Sequence, residues 1–151
     1  MITKFKQTPT EFTTLVERAK EMTKKSYAPY SHFNVGAAVL LSDGVIITGA
    51  NQENAAYGDS ICAERVALLY ATANHPDVAP VAIAIAAHTN EKFTNECVTP
   101  CGSCCQVLAE MQKRFGSEIK IVMYGTKEVL VASQVQDLLP LQFNSSILPD
   151  D

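Results

Sequence analysis

Between Thr10 and Lys25, apolar residues recur at Phe12, Leu15, Val16, Ala19 and Met22, with polar residues between them. This period predicts an amphipathic helix. Tyr27-Ala28-Pro29-Tyr30-Ser31 breaks it. Val35 to Leu41 reads as a strand, Ser42-Asp43-Gly44 as a turn, and Val45 to Thr48 as the returning strand of a hairpin. The polar loop Asn51-Gln52-Glu53-Asn54 follows. Cys62 to Ala73 is rich in helix formers and ends at Asn74-His75-Pro76, because proline does not continue a helix. Val81 to Ala87 is continuously apolar, the signature of a strand buried on both faces. Cys104 to Phe115 predicts a further helix with Gly116 as its stop. Glu118 to Tyr124 and Val129 to Ala132 read as strands, and Ser133 to Leu139 as a last short helix before Pro140.

Strands alternating with helices imply an α/β fold: a three-layer α/β/α sandwich around a mixed five-stranded sheet. Such folds place their sites in loops where strands lead into helices. At 151 residues the chain is expected to form one domain, residues 1–151, and a chain of that length buries roughly 68–70% of its unfolded surface. A hydrophobic content of 47% with no low-complexity tract excludes a disordered chain. The net charge of −4 argues against binding a nucleic-acid polymer, which usually demands a basic face. The start of the chain, Met1 to Lys6, has no apolar run, and Val78 to Ala87 is too short to span a bilayer. We therefore expect a cytoplasmic protein without membrane contact, its five cysteines reduced.

The cysteines carry the chemistry. Cys101 and Cys104 form a C-x-x-C pair after Pro100, and Cys62 stands at the start of the other helix. This is ligand spacing for one zinc ion. Gly102 permits a tight backbone, and helix N-termini stabilise thiolates. Glu64, two residues beyond Cys62, matches the acid–base residue of zinc hydrolytic deaminases. Residues two apart on a helix point in nearly opposite directions, so Cys62 and Glu64 converge only on an ion beyond the helix end. Three protein ligands leave a fourth position for water, which marks a catalytic zinc. Three thiolates also overcompensate a divalent cation. Arg65 is the candidate to offset this by donating to the sulfurs from outside the ligand set. Cys97 and Cys105 are spare, and His32, His75 and His88 show no ligand pattern.

Four stretches resemble the cytidine deaminase family, specifically its small homotetrameric type: Tyr27 to Ala38 (YAPYSHFNVGAA), Asn51 to Tyr57 (NQENAAY), Cys62 to Arg65 (CAER) and Pro100 to Gln106 (PCGSCCQ). The resemblance spans roughly residues 10 to 143. It implies hydrolytic deamination of cytidine and 2'-deoxycytidine to uridine and 2'-deoxyuridine in pyrimidine salvage, by a zinc-activated water with Glu64 as proton shuttle. It implies one zinc per subunit on Cys62, Cys101 and Cys104. Asn51 and Glu53 would bind the ribose hydroxyl, Phe33 would pack on the base, and Ala55, Tyr57 and Ala63 would complete the substrate site. Leu138 to Phe143 resembles a C-terminal segment whose phenylalanine, Phe143 here, reaches a neighbouring subunit's pocket in a homotetramer. The chain departs from the family at Cys105, where arginine is usual. Two other readings share the zinc segments: a deaminase of another cytosine nucleoside such as blasticidin S, and a non-catalytic zinc module.

Overall fold

A computed structural model describes residues 1–149; residues 150 and 151 of the expected domain lie outside it. Seven strands form one mixed sheet: β1 (Ile2–Phe5), β2 (Asn34–Leu41), β3 (Ile46–Ala50), β4 (Pro80–Thr89), β5 (Lys92–Phe93), β6 (Lys120–Tyr124) and β7 (Val129–Ala132). The spatial order is β1-β7-β6-β4-β2-β3, with β5 folded back on the end of β4. Only β4 and β6 run parallel; the other neighbours are antiparallel.

β4 is the spine. Its alternate residues feed two cores, so it needs no polar face. Ile83 and Ile85 enter a core with β2 and β6 beneath α2 (Ala63–Asn74) and α3 (Gly102–Phe115). Ala82, Ala84 and Ala86 face α1 (Thr13–Met22), where Phe12, Leu15, Val16 and Ala19 pack. One helix on one face and two on the other complete the α/β/α sandwich that the pattern predicts. The small alanines let α1 lie close. Gly36 on β2 takes this furthest, since a Cβ there would stand 2.0 Å from the Ala19 carbonyl oxygen.

The strand count corrects the expected five. β1 is a four-residue edge strand that pairs with β7, Ile2 opposite Ala132, and nothing near residue 2 announces a partner so far along the chain. β5 is two residues long and follows Asn90 and Glu91, both at positive φ (49° and 58°). Glutamate rarely adopts that conformation, so the usual Asn-Gly hairpin signal is missing. The last helix also differs: residues 133–139 hold only a 3₁₀ turn, Val135–Asp137. The Asp137 carboxylate accepts from the Ser133 and Gln134 amides, and Gln112 Oε1 takes the Val135 amide at 3.0 Å. Those bonds close the turn on itself, and Pro140 prevents extension. Element ends elsewhere shift by a few residues: α3 begins at Gly102 rather than Cys104, and α1 is flanked by 3₁₀ turns. Gly116 stops α3 in the left-handed conformation, φ 62°.

Candidate zinc centre and substrate rim

The N-termini of α2 and α3 meet over the edge of the core. Cys62 and Cys101 are the residues just before these helices, both extended (φ −71°, ψ 150° and φ −72°, ψ 170°). Neither side chain caps its own helix, so both thiols are free to turn toward one point. Gly49 on β3 seats α2, because a Cβ there would stand 2.6 Å from the Ala67 nitrogen and 2.7 Å from the Ala63 oxygen. This close approach fully buries Ala63 and holds the start of α2 against the sheet.

The Sγ atoms of Cys62, Cys101 and Cys104 lie within 4.8 Å of one another. Cys62 and Cys101 are 3.8 Å apart, and Cys101 and Cys104 3.6 Å. Tetrahedral zinc with Zn–S bonds of ~2.3 Å sets its sulfurs about 3.8 Å apart. The cluster therefore fits one zinc ion. It is the only group of three potential ligands of this kind among the described residues. Cys105 turns away into the core, its thiol 3.8 Å from the Pro100 carbonyl. Cys97 bonds the Glu128 carbonyl at 3.1 Å.

Glu64 sits in the first turn of α2 and is only 4% exposed. Burial raises its carboxyl to about 7, and the charge on the neighbouring Cys62 sulfur pushes the same way. The Cys62 thiol is held down at about 5 by its hydrogen bond with Cys104 and by the Arg65 guanidinium. Cys104 moves upward, because it is the proton-bearing partner of Cys62 and is buried. Arg65 Nη2 points at Cys62 Sγ from 3.7 Å. Its Nε is buried without a hydrogen-bond partner.

Beside this centre, two β-bridges pin the polar loop. Gln52 pairs with Tyr27 on one side and with Ile61 on the other. The Gln52–Ile61 pair exchanges both backbone bonds, at 3.0 and 2.9 Å. Ile61 precedes Cys62, so the loop is registered against the first cysteine of the cluster. Asn51 sends Nδ2 to the Phe33 carbonyl at 2.9 Å, and its Oδ1 accepts from Ser26 Oγ and the Val35 amide. Glu53 and Tyr57 line a cavity of 390 Å³ with Tyr30, Ser31 and Ser60. Tyr30 and Tyr57 meet edge to face, 5.6 Å between centroids.

The structure thus gathers Cys62, Glu64, Arg65, Cys101 and Cys104 at one point, and joins Phe33 to Asn51 and Glu53 to Tyr57. Ala55 is exposed on the same loop. Ala63 has its side chain in the core, which leaves only its main chain for a ligand. Phe143 is held through its carbonyl by Gln106 of α3 at 2.8 Å, its ring largely in solvent. Tyr30, Ser31 and Ser60 received no role from the sequence. The sequence shows the Pro29-Tyr30-Ser31 segment as a helix breaker and as part of the Tyr27 to Ala38 resemblance, without assigning these residues a contact.

Residues 9–119 match the family model for the cytidine and deoxycytidylate deaminase zinc-binding region. The chain is similar to a cytidine deaminase of Halalkalibacterium halodurans, 39% identical over 90% of this chain and 96% of the relative. It is 35% identical to a probable cytidine deaminase of Dictyostelium discoideum, over 88% of this chain and 84% of that one. Its fold is similar to the crystal structure of cytidine deaminase from Burkholderia pseudomallei, with a TM-score of 0.74 and 39% identity. That match covers 86% of this chain and 97% of the other. The cytidine deaminase of Mycobacterium tuberculosis superposes with a TM-score of 0.69 at 30% identity, over 90% and 99% of the two chains.

Proposed function

The chain belongs to the cytidine and deoxycytidylate deaminase family, and from that premise we propose that it hydrolyses cytidine and 2'-deoxycytidine to the uridine nucleosides and ammonia. The observation that carries the reading is a buried carboxyl group, Glu64, set beside three convergent thiols.

Cys62, Cys101 and Cys104 would hold one zinc ion per subunit, and zinc in such a site supplies a Lewis acid that makes water nucleophilic near neutral pH. The remaining steps belong to side chains of this chain. Glu64 would accept a proton of the attacking water and deliver it to ring N3, then carry the proton of the newly added C4 hydroxyl to the amino group, which departs as ammonia as the C4 carbonyl forms. A general acid–base works best when its pKa lies close to the working pH, and burial pushes the Glu64 carboxyl upward toward that range. Arg65 lends positive charge to the cluster through Cys62.

A sugar hydroxyl suits the rim. Asn51 Oδ1 is saturated by two donors and one Nδ2 hydrogen is committed to Phe33, so one N–H remains to donate. Glu53 offers a carboxylate oxygen to accept. A hydroxyl needs one of each. Phe33 stands next to both, available to pack on the base.

The net charge of −4 favours a free nucleoside over a polymer. No described helix is long and apolar enough to cross a membrane. A site of reduced thiols suits the cytoplasm. We place the chain in a homotetramer, with Phe143 on a neighbour's rim. Exposed Leu69 and Tyr70 on α2 and Leu141 and Phe143 in the tail support an interface. Sedimentation at the mass of one chain would remove that assignment.

The test is ultraviolet-monitored conversion of cytidine by purified protein, with and without a zinc chelator. Chelator-sensitive formation of uridine is the expected result. Zinc-loaded, folded protein that leaves cytidine unchanged would overturn the substrate.

A further inference from the structure

Around Phe33 the backbone is held at its carbonyl by Asn51 and at its amide by Ser31, which is itself bonded to Glu53. Its carbonyl accepts from Asn51 Nδ2 at 2.9 Å. Its amide donates to Ser31 Oγ at 3.1 Å, and that same hydroxyl donates to Glu53 Oε1, also at 3.1 Å. The Ser31 amide adds bonds to Glu53 Oε1 and Oε2 at 3.2 and 3.3 Å. One hydroxyl thus spends its single hydrogen on the carboxylate and accepts from the peptide that carries the aromatic ring. It does so in the wall of the cavity that Glu53, Tyr30, Tyr57 and Ser60 complete.

We propose that Ser31 is a positioning residue that locks the Glu53 carboxylate to the Phe33 peptide, and so sets the spacing between sugar recognition and base recognition. The inference rests on the reading of Glu53 and Phe33 as nucleoside contacts. A glutamate on an exposed loop carries three rotatable side-chain bonds, and freezing them on binding weakens affinity. The Ser31 hydroxyl orders that carboxylate beforehand. His32, between the two, adopts a positive φ of 54°. The turn therefore departs from the relaxed chain and needs bonds of this kind to hold it. Ser31 acts on binding, not on the proton transfers of Glu64, so its removal raises KM and spares kcat.

The experiment compares Ser31→Ala, Ser31→Thr, Glu53→Ala and the Ser31→Ala/Glu53→Ala double variant, all with zinc content measured. Steady-state kinetics on cytidine are run beside direct cytidine binding by tyrosine fluorescence. Loss of one hydrogen bond to a charged group should raise KM about tenfold in Ser31→Ala. We expect kcat within about twofold of wild type, recovery in Ser31→Thr, and no added loss in the double variant over Glu53→Ala. An unchanged KM in Ser31→Ala, a Ser31→Thr that behaves like Ser31→Ala, or additive losses would each overturn the role. Wild type that binds cytidine without converting it, with binding weakened in Ser31→Ala, would refute the proposed reaction and uphold Ser31. Wild type that neither binds nor converts cytidine would overturn both.

Discussion

The zinc end and the substrate rim adjoin, yet they are built on opposite principles. At the zinc end, Cys104 is fully buried, Glu64 nearly so, and the helices carrying them rest on a close-packed core. At the rim, Tyr57 is 74% exposed and order comes from hydrogen bonds among Ser26, Ser31, Asn51 and Glu53. Glu64 is withdrawn from water, and desolvation is the main cause of its raised carboxyl. The groups proposed to meet the nucleoside stay in water and are held by neighbours instead. Substitutions at the two places should therefore fail differently, in turnover at the first and in affinity at the second.

The largest effect belongs to Glu64→Ala. It should lower kcat by about 10²–10⁴-fold or more, the range for a lost general acid–base. One zinc per chain should remain, as measured by metal analysis. Zinc loss in this variant would break the comparison, making Glu64 part of the metal's support rather than of the chemistry.

The second effect appears in chelated, metal-free protein. Glu64 has an ordinary carboxyl pKa of 4.5 when unfolded and about 7 when folded. Between these values the folded state binds more protons, so this group's contribution is fully present below about pH 4.5 and is lost as pH rises to about 7. The loss amounts to about 3 kcal/mol. Denaturant titrations of wild type and Glu64→Gln across that window should differ by this amount, with wild type falling more. Cys62 has the opposite sign: its thiol is held at about 5, so its contribution grows with pH. It is present in both proteins and cancels to first order. Parallel pH profiles would show that Glu64 is not desolvated.

The smallest effect is expected from Arg65→Gln. Removing the guanidinium beside Cys62 should weaken zinc affinity or kcat by about tenfold. Competition with a chromogenic chelator and cytidine turnover measure the two. If neither changes, the positive charge plays no part at the zinc end. A shift in KM alone would instead attach Arg65 to the rim.

Much of the zinc end could be read from the chain. The Pro100-Cys101-x-x-Cys104 spacing sits within one turn of helix, and Cys62 with Glu64 sits at the start of another, so local sequence already carries the chemistry. The rim was legible only through family resemblance. Asn51 and Glu53 lie in an ordinary polar loop, and neither their order nor their spacing says that Ser31 and Ser26 will hold them. Apolar runs, periods and turn residues were enough for β2, β3, β4, β6, β7 and the three α-helices. It was too little for the short strands β1 and β5.

By itself the sequence determined the three α-helices and the long strands, where the thiols enter, and which carboxyl accompanies them, while the helix expected over 133–139 folds as a 3₁₀ turn. These are properties of neighbours along the chain, set by side-chain period, proline and glycine punctuation, and ligand spacing. Only the tertiary structure decided that β1 pairs with β7, that the 3.8 and 3.6 Å sulfur separations fit one ion, that Glu64 is dry, and that Ser31 joins Glu53 to Phe33. Each depends on groups brought together from distant positions, and burial and hydrogen-bond partnership exist only once the chain has packed.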